Sequence, residues 1–248
     1  HCSGQGLTSD EVVFWYYDQL LNAFSRGSQA THQLLREVLC QIEGNLLPPH
    51  ILLRQMLKEY HSPVHFYTFR KQVCSHLAIL GLSEFVFHLT RLDPEKIVIE
   101  RDCGHTSCQF VAFDISDKTK ELDATRPVPF RLTPCVNDLL GPTVWGQLAP
   151  SMIATARVLN QQSIVQVYLR SLLLHSYEDW HRNNCEAEAK LELSELDNFV
   201  TEGVSAIVTR IQNLASFENA ESKVHTLVSA ASSLDNLCRM DPVWHPWL

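Results

Sequence analysis

The 248-residue sequence has no Cys-x-x-Cys pair, no G-x-S-x-G elbow and no uninterrupted apolar run long enough to span a bilayer. The first absence removes the usual hooks of a structural zinc site. The second removes the strand-to-helix nucleophile turn of one large hydrolase class. The third argues against a transmembrane helix, since the longest uncharged run, 139–156, is broken by Gly141, Pro142, Gly146 and Pro150. Positive charge is also in short supply. The 20 Lys and Arg residues are outnumbered by 28 Asp and Glu, giving a net charge of −8 and a pI near 5.8. Phosphate-backbone binding draws on a basic face, so direct contact with nucleic acid is not expected. The opening residues, HCSGQGLTSDEV, carry no basic stretch and no apolar core, so they are not read as a signal peptide. They also lack an initiating Met, which suggests a fragment.

Hydrophobic residues make up 45% of the chain and charged residues 19%, the balance of a globular protein able to bury a substantial core. Eight cysteines are scattered without a framework, several on apolar helical faces. There they act as small hydrophobes, which favours a reducing compartment. Cys103, His105 and Cys108 could supply three zinc ligands, but no fourth stands at a suitable spacing.

Helical periodicity dominates. Thr8 to Glu11 form a capping-box pattern ahead of VVFWYYDQLLNAF. Ser28 is placed to cap a second helix that Gly44 would end, and Pro48-Pro49 to start a third running to about Tyr60. Residues 63–89 form the most hydrophobic helix, with Phe66, Phe69, Val73, Leu77 and Leu80 at helical spacing and Gly81 as a point of kinking or splitting. Helices are predicted again over about 150–159, 163–182, 194–215 and 220–238, with 183–192 as the best linker. The convincing β signal is KIVIE (96–100) and CQFVAFD (108–114), joined by RDCGHTS into a hairpin. RPVPFRLTP (126–134) is held extended by its prolines.

These stretches carry a family likeness. RLDPEKIVIE followed by FVAFDI resembles the catalytic hairpin of the phosphatidylinositol 3-kinase-related kinases. VPFRLTP resembles their activation segment, and ESKVHTLVSAASSLDNLCRMDPVWHPWL (221–248) resembles their closing FATC element. Two further stretches, in 16–39 and 68–95, are similar to the pseudokinase branch of that family. The fold implied is mainly α with a small β-hairpin, a kinase-like C-lobe over 1–215 and a helical FATC element over 216–248. No Gly-rich phosphate loop or β3-type lysine motif, the marks of an N-lobe, is present in the sequence.

The resemblance also implies that the chemistry is lost. Aligned on Pro94, the family's base Asp falls at Arg91, its His at Asp93 and its metal-binding Asn at Lys96, while the metal-binding Asp survives as Asp114. Arg91 cannot accept a proton, and Lys96 would repel Mg²⁺, on which phosphoryl transfer relies. A cation from Lys96 or Arg91 is expected to pair with Asp114 in place of the metal. Trp244, Trp247 and Leu248 are expected to dock on the C-lobe, with no basic cluster beside them to hold lipid. The role implied is a nuclear, chromatin-directed scaffold without cofactor or metal. It would be built into histone acetyltransferase complexes of the SAGA type, with transcription activators bound through other parts of a longer chain. The alternatives are a divergent active kinase of the same family and a stand-alone binding module.

Overall fold

A computed structural model describes residues 8–25, 31–90, 92–123, 125–161, 164–184, 193–216 and 219–248. The first helix, α1 (Ser9–Ser25), starts on a reciprocal cap. The Thr8 amide donates to Glu11 Oε2 at 2.6 Å, and the Glu11 amide donates to Thr8 Oγ1 at 3.4 Å. Helix α2 (His32–Gln41) is capped by Thr31, whose hydroxyl accepts from the Leu34 amide at 3.3 Å. The predicted cap, Ser28, lies outside the described residues. Gly44 does not end this helix: a wider π-type turn, Ile42–Leu46, carries it on for one more turn. Helix α3 (Ile51–Glu59) follows the Pro48-Pro49 pair.

Helix α4 (Pro63–Val86) is the central post, and Gly81 does not split it. That glycine serves close approach: a Cβ there would come within 2.8 Å of the Phe130 ring. The missing methyl lets the 126–133 segment, predicted to be extended but bent at 127–130, lie against α4, with Val128, Phe130 and Leu132 almost fully buried.

The hairpin is shorter than its sequence suggested. Strands β1 (Ile97–Ile99) and β2 (Thr106–Cys108) pair antiparallel, with Ile97 opposite Cys108. Its tip closes early because Gly104, at φ +78°, lets the Glu100 amide reach the His105 carbonyl at 2.8 Å. A Cβ on Gly104 would meet the Phe69 carbonyl at 2.6 Å, so the tip also leans on α4. Residues 112–114, predicted to pair within the hairpin, pair instead with 88–90. The Thr90 amide donates to the Ala112 carbonyl at 2.8 Å and the Asp114 amide to the His88 carbonyl at 2.7 Å. This shift fixes Asp114 against the end of α4.

The remaining helices are α5 (Pro134–Leu140), α6 (Ala149–Gln161), α7 (Ile164–Asn184), α8 (Leu193–Ala215), α9 (Ala220–Ser232) and α10 (Leu234–Leu237). Helix α6 packs on α4, α8 and α9, and α8 packs on α7. The helix predicted over 220–238 breaks at the extended Ser233. The predicted linker 183–192 lies largely outside the described residues. Among the described residues, no helix is long and apolar enough to cross a membrane, and no cluster of His, Cys, Asp and Glu could hold a metal ion.

Candidate functional site

Several buried polar groups, Glu84, His88 and Arg131 among them, gather around the 126–133 segment. Asp114 is set by its amide bond to His88 and by its carbonyl, which accepts from the Asp123 amide at 2.8 Å. A tight turn between them, bridged at Ile115 and Leu122, swings the chain round so that Arg126 faces Asp114. One guanidinium nitrogen of Arg126 donates both to Asp114 Oδ2 and to the Leu89 carbonyl. Its other terminal nitrogen lies 3.8 Å from Glu84 Oε1.

Glu84 is the joint of the site. It projects from α4 with only 3% of its surface exposed. Its two oxygens accept from the Leu92 amide at 3.5 Å and the Arg131 amide at 3.1 Å. Loss of hydration outweighs these bonds and the two arginine charges, so the carboxyl is pushed up to about 7.

Arg131 continues the ladder into the last residues. Its Nε donates to the Leu92 carbonyl at 2.7 Å. The terminal nitrogens donate to the main-chain oxygens of Trp244, His245 and Leu248, the last at 2.8 Å. The guanidinium lies 3.9 Å from the centre of the Trp244 ring. Burial moves its pKa down to about 10, so it stays charged at neutral pH.

The 241–248 segment is held from several sides. Asp241 caps its turn by accepting from the Val243 amide at 3.0 Å, and His245 turns left-handed at φ +52°. Trp247 is fully buried, 6.1 Å from the Tyr16 ring of α1. The Cys135 thiol donates to the Trp247 carbonyl at 3.2 Å. Burial pushes that thiol up to about 12, which leaves it without thiolate reactivity. Among the described residues the indole N–H groups of Trp244 and Trp247 find no acceptor, so the segment is held by apolar burial and by main-chain bonds from Arg131 and Cys135.

The residues singled out from the sequence do not all meet here. Arg91 lies outside the described residues. Lys96 does not pair with Asp114. Its ammonium bonds Asp93 at 2.7 Å, three residues back and partly in water. The Lys96 half of the expectation fails because Asp114 pairs toward 88–90, away from the start of β1, and Arg126 reaches it; the Arg91 half lies outside the described residues. Asp93 and Lys96 thus form a local surface pair, whereas Asp114, Trp244 and Trp247 belong to the buried assembly. Sequence reading missed Glu84, Arg126 and Arg131. Glu84 did leave a signal as the only acidic residue between Pro63 and Leu89. A lone carboxylate in so apolar a helix calls for a buried partner.

Comparison with known proteins agrees with this architecture. The FATC domain family matches residues 219–248. The transformation/transcription domain-associated protein of Danio rerio is 42% identical across all of this chain, which covers 7% of that protein's length. The SAGA complex/NuA4 acetyltransferase complex subunit Tra1 of Schizosaccharomyces pombe is 26% identical over 78% of this chain, covering 6% of its own. The chain therefore spans under a tenth of the length of these curated relatives. Among solved structures, the FAT and kinase domain of CtTel1 superposes with a TM-score of 0.63 at 14% identity, over 98% of this chain and 16% of that one. The fold is the kinase-like C-lobe with a closing FATC element.

Proposed function

We propose, because the chain belongs to the transformation/transcription domain-associated protein family within the phosphatidylinositol 3-kinase-related kinases, that it is a catalytically inactive kinase-like scaffold element of a nuclear transcription co-activator. Relatives named as SAGA and NuA4 acetyltransferase complex subunits support protein partners of that kind. Residues 1–215 would form the pseudokinase lobe and 216–248 the FATC element. Activators would bind elsewhere on a longer chain, and neither nucleic acid nor membrane would be touched directly by this segment.

The contact between Arg126 and Asp114 carries the reading of inactivity. A metal-binding carboxylate must present its oxygens to Mg²⁺. Here Oδ2 of Asp114 is taken by a buried guanidinium, so the residues do not fit the ion. At the loop, Lys96 adds a cation where the family places an Asn ligand, and Arg91 stands where a proton acceptor is needed. What the lobe keeps is shape: Arg126, Glu84 and Arg131 tie the old metal position to the last residues by bonds that need no nucleotide.

The full-length protein, purified free of contaminating kinases, is the material for the test. Transfer from ATP to peptide or lipid should equal that of a mock preparation, and Asp114→Asn should leave it unchanged. Transfer that Asp114→Asn abolishes would overturn the reading and favour a divergent active kinase.

A further inference from the structure

Beside the ladder lies a cavity of about 70 Å³, lined by Glu84, Phe85, His88, Asp123, Arg126, Pro129 and Arg210. A water needs about 10–15 Å³ of such space, so the cavity has room for a molecule of a few heavy atoms. A second hollow of about 290 Å³ shares His88 and Arg210 with it.

Among the described residues, two polar atoms on its walls are buried and find no partner, Arg126 Nε and His88 Nε2. Both side chains are more than nine-tenths buried, at 8% and 4% exposure. Buried polar atoms are seldom left unmatched, and each exception asks for a reason. Their chemistry differs. Arg126 Nε carries a proton and wants an acceptor. His88 Nδ1 lies 3.0 Å from the Asp123 carbonyl, which only accepts, so Nδ1 holds the ring proton and Nε2 presents a lone pair. His88 is kept in this orientation by a left-handed backbone, φ +50°. Burial and the nearby Arg210 and Arg126 charges disfavour a second proton on the ring.

Arg210 supplies the charge. It rises from α8, donates to the Phe85 carbonyl and lies 4.7 Å from the Phe85 ring centre. Among the described residues it forms no ion pair, and the charge that acts on it is another guanidinium, Arg126. Carboxylates do stand nearby. Glu84 is occupied by the Leu92 and Arg131 amides. Oδ1 of Asp123 accepts from the Thr125 amide at 2.8 Å and hydroxyl at 2.7 Å. Glu121 and Glu202 line the second hollow.

We propose that this cavity binds one hydrogen phosphate ion, held by Arg126 and Arg210 and recognised by His88. Hydrogen phosphate has anionic oxygens for Arg126 Nε–H and for the free donors of Arg210, where charge-assisted bonds to guanidinium are strongest. It also has a P–O–H group that can donate to His88 Nε2. Sulfate matches its size and charge but has no proton to give at neutral pH, so it leaves His88 unmatched. Chloride offers neither shape nor donor. The site is independent of the scaffold reading, which stands whether or not an ion binds.

The test is equilibrium dialysis of the full-length protein against radiolabelled inorganic phosphate, with hydrogen exchange followed in peptides covering 84–90 and 121–131. One phosphate per chain should bind saturably, and both peptides should gain protection. Sulfate at matched ionic strength should compete at least ten times more weakly. Arg210→Gln should weaken binding ten-fold or more. No saturable binding, binding untouched by Arg210→Gln, or equal competition by sulfate would each overturn the proposal. Should Arg210→Gln fail to fold, the phosphate-against-sulfate contrast in the unmutated protein decides alone: protection by phosphate only supports the site, and equal or absent protection refutes it.

Discussion

Asp93 and Asp114 flank the hairpin, and each is matched by a cation, but in opposite settings. The Lys96–Asp93 pair is local in sequence, with both side chains more than a third exposed. The Arg126–Asp114 pair closes a longer turn, and Arg126 is 8% exposed. An exposed pair contributes about 0–1 kcal/mol, because water screens it and two long side chains must be ordered. A buried pair is different. It can be worth little more than an apolar replacement, yet breaking one side leaves an uncompensated charge. The difference teaches that Lys96, though written into the loop sequence, is not the cation that holds Asp114. That cation, Arg126, comes from the segment that follows the Ile115–Leu122 turn, and its removal should be felt as far as Trp244.

The largest effect should come from the far end of the ladder. Arg131→Met removes the donors to Leu92, Trp244, His245 and Leu248 and leaves Glu84 with one arginine fewer. Truncating one side of such a buried charged assembly costs about 3–5 kcal/mol. In the full-length protein the 241–248 segment should become protease-sensitive at urea concentrations that leave the unmutated protein intact. Equal resistance would mean that apolar burial of Trp244 and Trp247 is sufficient.

Arg126→Gln should do less. Gln can still donate to the Leu89 carbonyl, but Asp114 keeps its charge and loses its guanidinium. An unmatched buried group costs about 1–3 kcal/mol, reduced here because Asp114 is a quarter exposed. Hydrogen exchange should quicken in 88–90 and 112–114 with little change in β1 and β2. Loosening of the hairpin instead would place the support of that region in Lys96.

Glu84 offers a pH reading of the same contrast. Its folded pKa, about 7, stands above the ordinary 4.5. Between those values the folded form binds the proton more tightly than the unfolded form does. The contribution is fully present below pH 4.5 and is lost as pH rises through 7. The urea resistance of the 241–248 segment should therefore fall from this group between pH 5 and pH 8, and Glu84→Gln should flatten that fall. A fall of the same size in Glu84→Gln would assign it to other groups, such as His245, whose pKa burial lowers.

Local rules were legible in the sequence, and long-range choices were not. The Thr8–Glu11 cap and the apolar period of α4 follow from spacing and residue type, whereas 126–134, expected to be extended, bends at 127–130 and enters α5 at Pro134. Thr31 rather than Ser28 as a cap is a choice between chemically similar hydroxyls three residues apart. The pairing of 112–114 with 88–90 depends on how tightly the hairpin tip closes at Gly104, and a glycine says only that a tight turn is allowed. From that pairing follows the partner of Asp114. Arg126 stands twelve residues away, and nothing in the spacing distinguishes it from Lys96 until the Ile115–Leu122 turn is in place.

The smallest expected effect is also the most direct probe of the comparison. A double-mutant cycle on Lys96→Ala and Asp114→Ala should give a coupling below about 0.5 kcal/mol, the size of additivity error for separated sites. Lys96→Ala by itself should cost no more than about 1 kcal/mol, through its exposed pair with Asp93. The matching cycle on Arg126 and Asp114 should couple more strongly, since these side chains touch and one is buried. The order of the two couplings matters more than either value. A larger coupling for Lys96 would mean that the loop lysine reaches Asp114 in solution, and that the hairpin turns its first strand toward Asp114. That result would return the role of internal cation to Lys96, one of the two loop cations, with Arg91, that the sequence offered.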